Sequence, residues 1–127
     1  NCMKIVALFG EDALNSRERY FKIIDGIKKR GWEHIALTPD KKMSEQLAGV
    51  SLFGGDRLYS CDNAAKVSLK EYQWLFDHAG EHDGSLLLYF SNTLPAAIKK
   101  LLPKDTKFEE FRLKKELYTF IEAVLSQ

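Results

Sequence analysis

Two short runs, Ile5-Val6-Ala7-Leu8-Phe9 and Leu86-Leu87-Leu88-Tyr89-Phe90, contain no charged or amide side chain. Each is too short for a helix that must bury one face. Each is also too uniformly apolar for a strand with one wet face. Such runs suit strands covered on both sides, which is the situation inside a parallel sheet. A strand of that kind needs helices above and below it, and the intervening sequence supplies them. The segment from Ala13 or Leu14 to Arg30 carries Tyr20, Phe21, Ile23, Ile24 and Ile27 at three- and four-residue spacing, with Lys28, Lys29 and Arg30 in its last turn and Gly31 as a stop. Met43 to Val50 and Leu69 to Ala79 have similar stripes, the latter with Leu69, Tyr72, Leu75, Phe76 and Ala79 facing inward. Pro95 opens a short helix to Leu102. Further strands are expected at His34–Leu37, Arg57–Asp62 and, more weakly, Phe108–Phe111. Asn63–Ser68 reads as a polar loop, and a closing helix is expected from about Leu113 to Leu125. Strands and helices alternate along the chain, so the expected class is an α/β domain with a mainly parallel sheet and right-handed crossovers.

The 127 residues fit one domain with a modest core. Hydrophobic residues make up 45% and charged residues 29%, an ordinary balance for a globular chain. The net charge of +1 excludes a global field that would draw the chain to nucleic acid or an anionic membrane. No apolar run approaches the ~20 residues of a membrane span. Two cysteines, Cys2 and Cys61, make neither a disulfide framework nor a metal site, which fits the cytoplasm.

Chemistry is sought first at the turn after the first strand, where α/β domains bind phosphate. It reads Gly10-Glu11-Asp12-Ala13-Leu14-Asn15-Ser16-Arg17. A working phosphate loop needs further glycine and a Gly-Lys-Ser/Thr ending. Here there is one glycine, no lysine, and two carboxylates that repel phosphate. Glu11 and Asp12 read instead as first-turn acids of the following helix. No nucleotide cofactor is expected. His78 and His82, among Asp77, Glu81 and Asp83, have a spacing that could hold a metal, but Gly80 interrupts the helix and a solvated loop is the expectation. Asp62-Asn63 reads as a turn, and Ser51, Ser60 and Ser91 have no evident base partner. Lys28-Lys29-Arg30 and Lys99, Lys100, Lys104 and Lys107 read as solvated faces, and Trp32 and Trp74 as core or near-core rings. No catalytic residue and no metal ligand is assigned.

The remaining stretch of interest is Gly49-Val50-Ser51-Leu52-Phe53-Gly54-Gly55-Asp56-Arg57. Two large apolar side chains precede a glycine pair at a helix-to-strand corner. On pattern alone, Leu52 and Phe53 either fill the core beneath that corner or stand out from it as an anchor for a partner's pocket.

Several motifs occur in a fixed order. Leu8-Phe9-Gly10-Glu11-Asp12 closes the first strand, and Ser51-Leu52-Phe53 precedes Arg57-Leu58-Tyr59-Ser60-Cys61-Asp62-Asn63. Leu86 to Asn92 leads to a lysine-rich helix, and Phe108-x-x-Phe111 leads to a helix with Glu116-Leu117 and Phe120-Ile121. This set resembles the N-terminal domain of the delta subunit of bacterial DNA polymerase III, part of the sliding-clamp loader. The resemblance covers nearly the whole chain. It implies a three-layer, Rossmann-like AAA+-type fold with a five-stranded sheet in the order 5-1-4-3-2. It implies a degenerate phosphate loop at Gly10, Glu11 and Asp12, with no ATP hydrolysis. It implies that residues 1–112 form the AAA+-like domain and that 113–127 begin a helical second domain, so that the chain is a fragment of a longer protein. The implied clamp-binding element is Ser51-Leu52-Phe53, inserted into an apolar pocket of the sliding clamp (beta subunit) to help open the ring. Ala48 stands where the family often has a glutamine, with Gln46 two residues earlier. Other clamp-loader subunits are implied partners of the full-length protein, and DNA contact by this domain is expected to be weak or indirect. The alternative is a small α/β nucleotide-binding protein or enzyme using loops at the strand C-termini.

Overall fold

The computed structural model describes residues 3–50, 55–81, 83–113 and 123–126. Within them the chain alternates β1 (Lys4–Phe9), α1 (Ala13–Lys29), β2 (Glu33–Leu37), α2 (Met43–Ala48), β3 (Arg57–Cys61), α3 (Leu69–Asp77), β4 (Ser85–Tyr89), α4 (Ala96–Leu101) and β5 (Lys107–Glu110). The five strands form one sheet in the order β2-β3-β4-β1-β5. Read from the other edge, this is the expected order. Every strand pair is parallel: β4 lies between β3 and β1, with Val6 opposite Leu87 and Ser60 also opposite Leu87.

Alternation along the strands divides the core in two. Ile5, Ala7, Tyr59, Cys61, Leu86, Leu88 and Phe90 point to one face, where Met43 and Leu47 of α2, Tyr72 and Leu75 of α3, and Ile98 of α4 cover them. Leu8, Leu58, Leu87 and Tyr89 point to the other face, where α1 supplies Tyr20 and Ile24. The central strand β4 is deeply enclosed, with Leu86, Leu87, Leu88 and Tyr89 each 1% exposed. Truncating one of these leucines to alanine costs about 2–5 kcal/mol, a large part of a typical domain's stability.

Local sequence sets the element ends. Asp12 caps α1 through its side chain, which accepts the Asn15 N–H, and Ser68 caps α3 by accepting the Glu71 N–H. Gly84 turns the chain into β4 at φ +132°, and a Cβ there would lie 2.7 Å from the Arg57 carbonyl oxygen. Glycine is therefore required at that point.

Three expectations need correction. Phe21 and Leu69, expected inward, are 50% and 47% exposed. Phe21 follows Tyr20 by one residue and so lies about 100° round the helix, on its flank, where it meets the edge of the Tyr20 ring. Leu69 is the first residue of α3, next to its cap, at an end of the helix that lies outside the core. The polar loop at 63–68 is a short 3-10 turn whose Ala64 and Val67 are buried, held by the Tyr72 hydroxyl donating to the Ala64 carbonyl. Its apolar residues pack on the larger core, which sequence spacing could not show for so short a segment. Trp32 and Trp74 are half-buried, as expected of near-core rings. The closing helix falls largely on residues 114–122, outside the described residues.

Cys61 is completely enclosed, and burial pushes its thiol up to about 12. A thiol held that far above neutrality has almost no thiolate to react. In a Cys2→Ser background, Cys61 is expected to resist a thiol-specific reagent in the native protein at pH 8 and to react fully once denaturant unfolds it. Stoichiometric labelling of the folded chain would show that the strand is not buried.

Candidate functional site at the carboxyl ends of the strands

The carboxyl ends of β1, β3, β4 and β5 surround the loop from Gly10 to Arg17. This is the place where open α/β sheets take ligands. Registering the phosphate-loop motif on Gly10 puts Asn15, Ser16 and Arg17 at its Gly-Lys-Ser/Thr positions. Ser16, at the lysine position, is wholly buried, and its hydroxyl lies 3.0 Å from that of Tyr89 on β4. Arg17 stands at the position of the magnesium-binding hydroxyl. Its Nη1 and Nη2 donate to Oδ1 and Oδ2 of Asp62 at 3.1 and 2.9 Å. Asp62 follows directly on β3, where phosphate-loop enzymes keep the second magnesium-binding acid. The two positions that jointly hold a metal ion in such enzymes thus hold each other as an ion pair.

Arg17 is fixed from a second direction. Its guanidinium carbon lies 5.0 Å from the centroid of the Phe21 ring and 5.3 Å from that of Tyr89. The guanidinium holds the Asp62 carboxyl below the usual carboxylate range, an effect that outweighs the opposing influence of partial burial. Asp62 Oδ1 also accepts the N–H of Asn63, which sits in the left-handed region at φ 56°. The turn expected at Asp62-Asn63 is present, and its carboxylate has a tertiary role as well.

Several backbone amides of the loop are taken up by protein acceptors. The Gly10 N–H donates to the Asn92 carbonyl at 2.7 Å, and the Asp12 N–H donates to the Phe111 carbonyl at 3.0 Å. The Ala13 and Asn15 N–H groups donate to the Glu11 carbonyl and the Asp12 carboxylate. Gly10 adopts φ +130°, and a Cβ there would overlap the Phe111 carbonyl oxygen and lie 2.6 Å from the Phe111 nitrogen. The glycine is therefore required for the close approach of β5's continuation. Asp12 is the helix cap and not a first-turn acid. Glu11 precedes the helix and turns outward, with Oε1 accepting the Leu113 N–H at 3.2 Å.

Beside this loop lies an open crevice of about 380 Å³, lined by Phe9, Gly10, Glu11, Asn92, Leu94 and Arg112, among others. Thr93 and Glu110 also line it, and Glu110 is paired with Arg112 at 2.9 Å. A serine with a base partner lies elsewhere: Ser60 Oγ is 2.7 Å from His34 Nε2, contrary to the expectation that it had none. Ser60 is 1% exposed, so no substrate atom can reach it. Burial, with Lys28 nearby, lowers the His34 pKa. His78 stacks on Trp74 at 4.2 Å and its Nδ1 lies 2.7 Å from the Trp74 carbonyl oxygen; His82 is outside the described residues. Among the described residues, no three histidine, cysteine or acidic side chains converge as a metal site. None of the helices searched there is long and apolar enough to cross a membrane.

Ser51, Leu52 and Phe53 lie outside the described residues. Their flanks are firmly held. Met43 and Leu47 of α2 are buried, the Val50 N–H donates to the Leu47 carbonyl, and the Asp56 carbonyl accepts the Glu33 N–H at 3.0 Å. Asp56, which leads into β3, is thus tied to the start of β2 at the amino ends of the strands, opposite the phosphate-loop rim. Gln46 is internally engaged: Oε1 accepts the Thr38 N–H at 2.6 Å and Nε2 donates to the Thr38 and Lys41 carbonyls.

No protein-family model and no curated protein matches the chain. Solved structures do. A chain in the structure of Drosophila ORC bound to GC-rich DNA and Cdc6 aligns with a TM-score of 0.57 at 11% identity, over 97% of this chain and 27% of that one. A chain of Drosophila ORC bound to DNA aligns with the same score and identity, over 97% of this chain and 28% of that one. This chain thus spans just over a quarter of the length of the chains it matches. At such low identity the likeness speaks for the fold alone, a Rossmann-like α/β domain with a five-stranded parallel sheet.

Because the native Asp62 carboxyl lies below its ordinary value of about 3.9, its contribution is complete above that pH and is lost as pH falls through the lower, folded value. Both partners are more than a third exposed, so solvent screening limits the pair to about 0.2–1 kcal/mol. Asp62→Asn is expected to lower stability by up to that amount at pH 7, with the difference from wild type shrinking below about pH 4. Denaturant titrations at both pH values check it; an unchanged gap in acid would refute the ion pair.

Proposed function

We propose that this chain is a non-catalytic binding module of a DNA-replication assembly, the clamp-contacting domain of a clamp-loader delta subunit. The observation that carries the non-catalytic part is the Arg17–Asp62 pair, where a nucleotide-hydrolysing relative would hold metal. The buried Ser16 and the protein-bound amides of Gly10 and Asp12 support the same reading. The replication context is supported by the likeness to Drosophila ORC bound to DNA and by the ordered sequence motifs. Leu52 and Phe53 then act as apolar anchors in a pocket of the ring-shaped clamp, with Ser51 beside them. The work is mechanical: binding favours a clamp shape incompatible with the closed ring, and only differential affinity for the two shapes can shift that equilibrium. Ala48 and the internally bonded Gln46 leave the polar side of the contact to other residues.

The crevice beside Gly10 favours the second reading, a small nucleotide-binding protein or enzyme. Adding Mg·ATP and following the melting transition separates the two. A ligand at 100 times its dissociation constant stabilises by about 2.7 kcal/mol. The expected result is no saturable rise, and a clear one would favour the enzyme reading.

Leu52→Ala combined with Phe53→Ala tests the anchor directly, by calorimetric titration with the sliding clamp of the same organism. Each buried apolar side chain is worth about 1.5–3 kcal/mol, and about 1.4 kcal/mol is tenfold in affinity. Binding is therefore expected to weaken at least about a hundredfold with the melting temperature unchanged. Core residues would behave oppositely, losing about 2–5 kcal/mol of stability each. Intact binding would overturn the anchor, and a collapsed melting temperature would assign this corner to the core.

A further inference from the structure

The loop that lacks phosphate-binding residues makes, among its other contacts, a set directed at the chain leaving β5. The β5 ladder ends at Glu110. Beyond it the Phe111 N–H donates to the Phe9 carbonyl at 2.8 Å, and the Phe111 carbonyl accepts the Asp12 N–H at 3.0 Å. The Phe111 side chain packs against the α1-side core. Two residues on, the Leu113 N–H donates to the Glu11 carboxylate at 3.2 Å. Gly10 makes this possible, since any side chain there would collide with the Phe111 backbone. Arg112, between these contacts, pairs with Glu110 at 2.9 Å and lies within the electrostatic reach of Glu11.

We infer that the β1–α1 loop is a strap that fixes the direction in which the chain leaves the sheet, with Glu11 as its positioning residue. A carboxylate from the protein itself, in place of a bound anion, satisfies the amide of the departing chain. Phe111 to Leu113 are thereby held without any ligand in the loop. Two of the three hydrogen bonds are backbone to backbone and depend on Gly10. The third depends on a single exposed side chain, and so can be removed without disturbing the core.

Hydrogen exchange and limited trypsin digestion of the 127-residue chain test the strap. In wild type the Leu113 amide is expected to be protected. Glu11→Ala should speed its exchange roughly tenfold, and cleavage after Arg112 by a similar factor, while amides of β1 and β4 remain as protected as before. Glu11→Gln keeps an accepting oxygen and should restore Leu113 protection to near the wild-type level. Three results would each overturn the inference: a Leu113 amide unprotected in wild type, equal exchange in the alanine variant, or acceleration spread uniformly through β1 and β4. Failure of the glutamine variant to rescue would overturn the positioning role of Glu11.

Discussion

The structure depends on burying β1 and β4 on both faces. Side-by-side parallel strands with apolar side chains above and below cannot leave either face to water. α1 closes one side through Tyr20 and Ile24, and α2, α3 and α4 close the other through Met43, Leu47, Tyr72, Leu75 and Ile98. That requirement dictates where every loop lies. The carboxyl ends of the strands form one rim, with Gly10, Asp62 and Asn92, and the amino ends form the other, with Asp56 and Gly84, because the crossover helices return the chain from one to the other.

At the phosphate-loop rim, a change of chemistry leaves the backbone geometry in use. Amides that a glycine-rich loop would present to an anion here meet Asn92 and Phe111 carbonyls. A guanidinium and a carboxylate pair where magnesium ligands would stand. Each substitution keeps a donor facing an acceptor or a cation facing an anion, so the rim needs no ligand to satisfy it. A buried polar group without a partner is costly, and this arrangement avoids that cost internally. The same logic explains Ser16, whose fully buried hydroxyl donates to the Ala13 carbonyl at 3.3 Å and lies 3.0 Å from that of Tyr89.

By itself the sequence determined the class of fold, the order of elements and the poverty of the phosphate loop. Those properties rest on local periodicity and on residue types: uniformly apolar runs at Ile5–Phe9 and Leu86–Phe90, stripes at helical spacing, and a loop with one glycine and no lysine. Strand order came from the family resemblance, and the observed order matches it. Only the tertiary structure decided what depends on distant pairing. Arg17 meets Asp62 across 45 residues, Ser16 meets Tyr89 across 73, and Glu11 meets the Leu113 amide across 102. The partnership of His34 with Ser60 arises because β2 lies against β3 in parallel register. Local sequence fixes which face of its own element a side chain occupies. It carries no term for the neighbour that packing brings opposite, because that neighbour is set by how five strands and four helices close a common core.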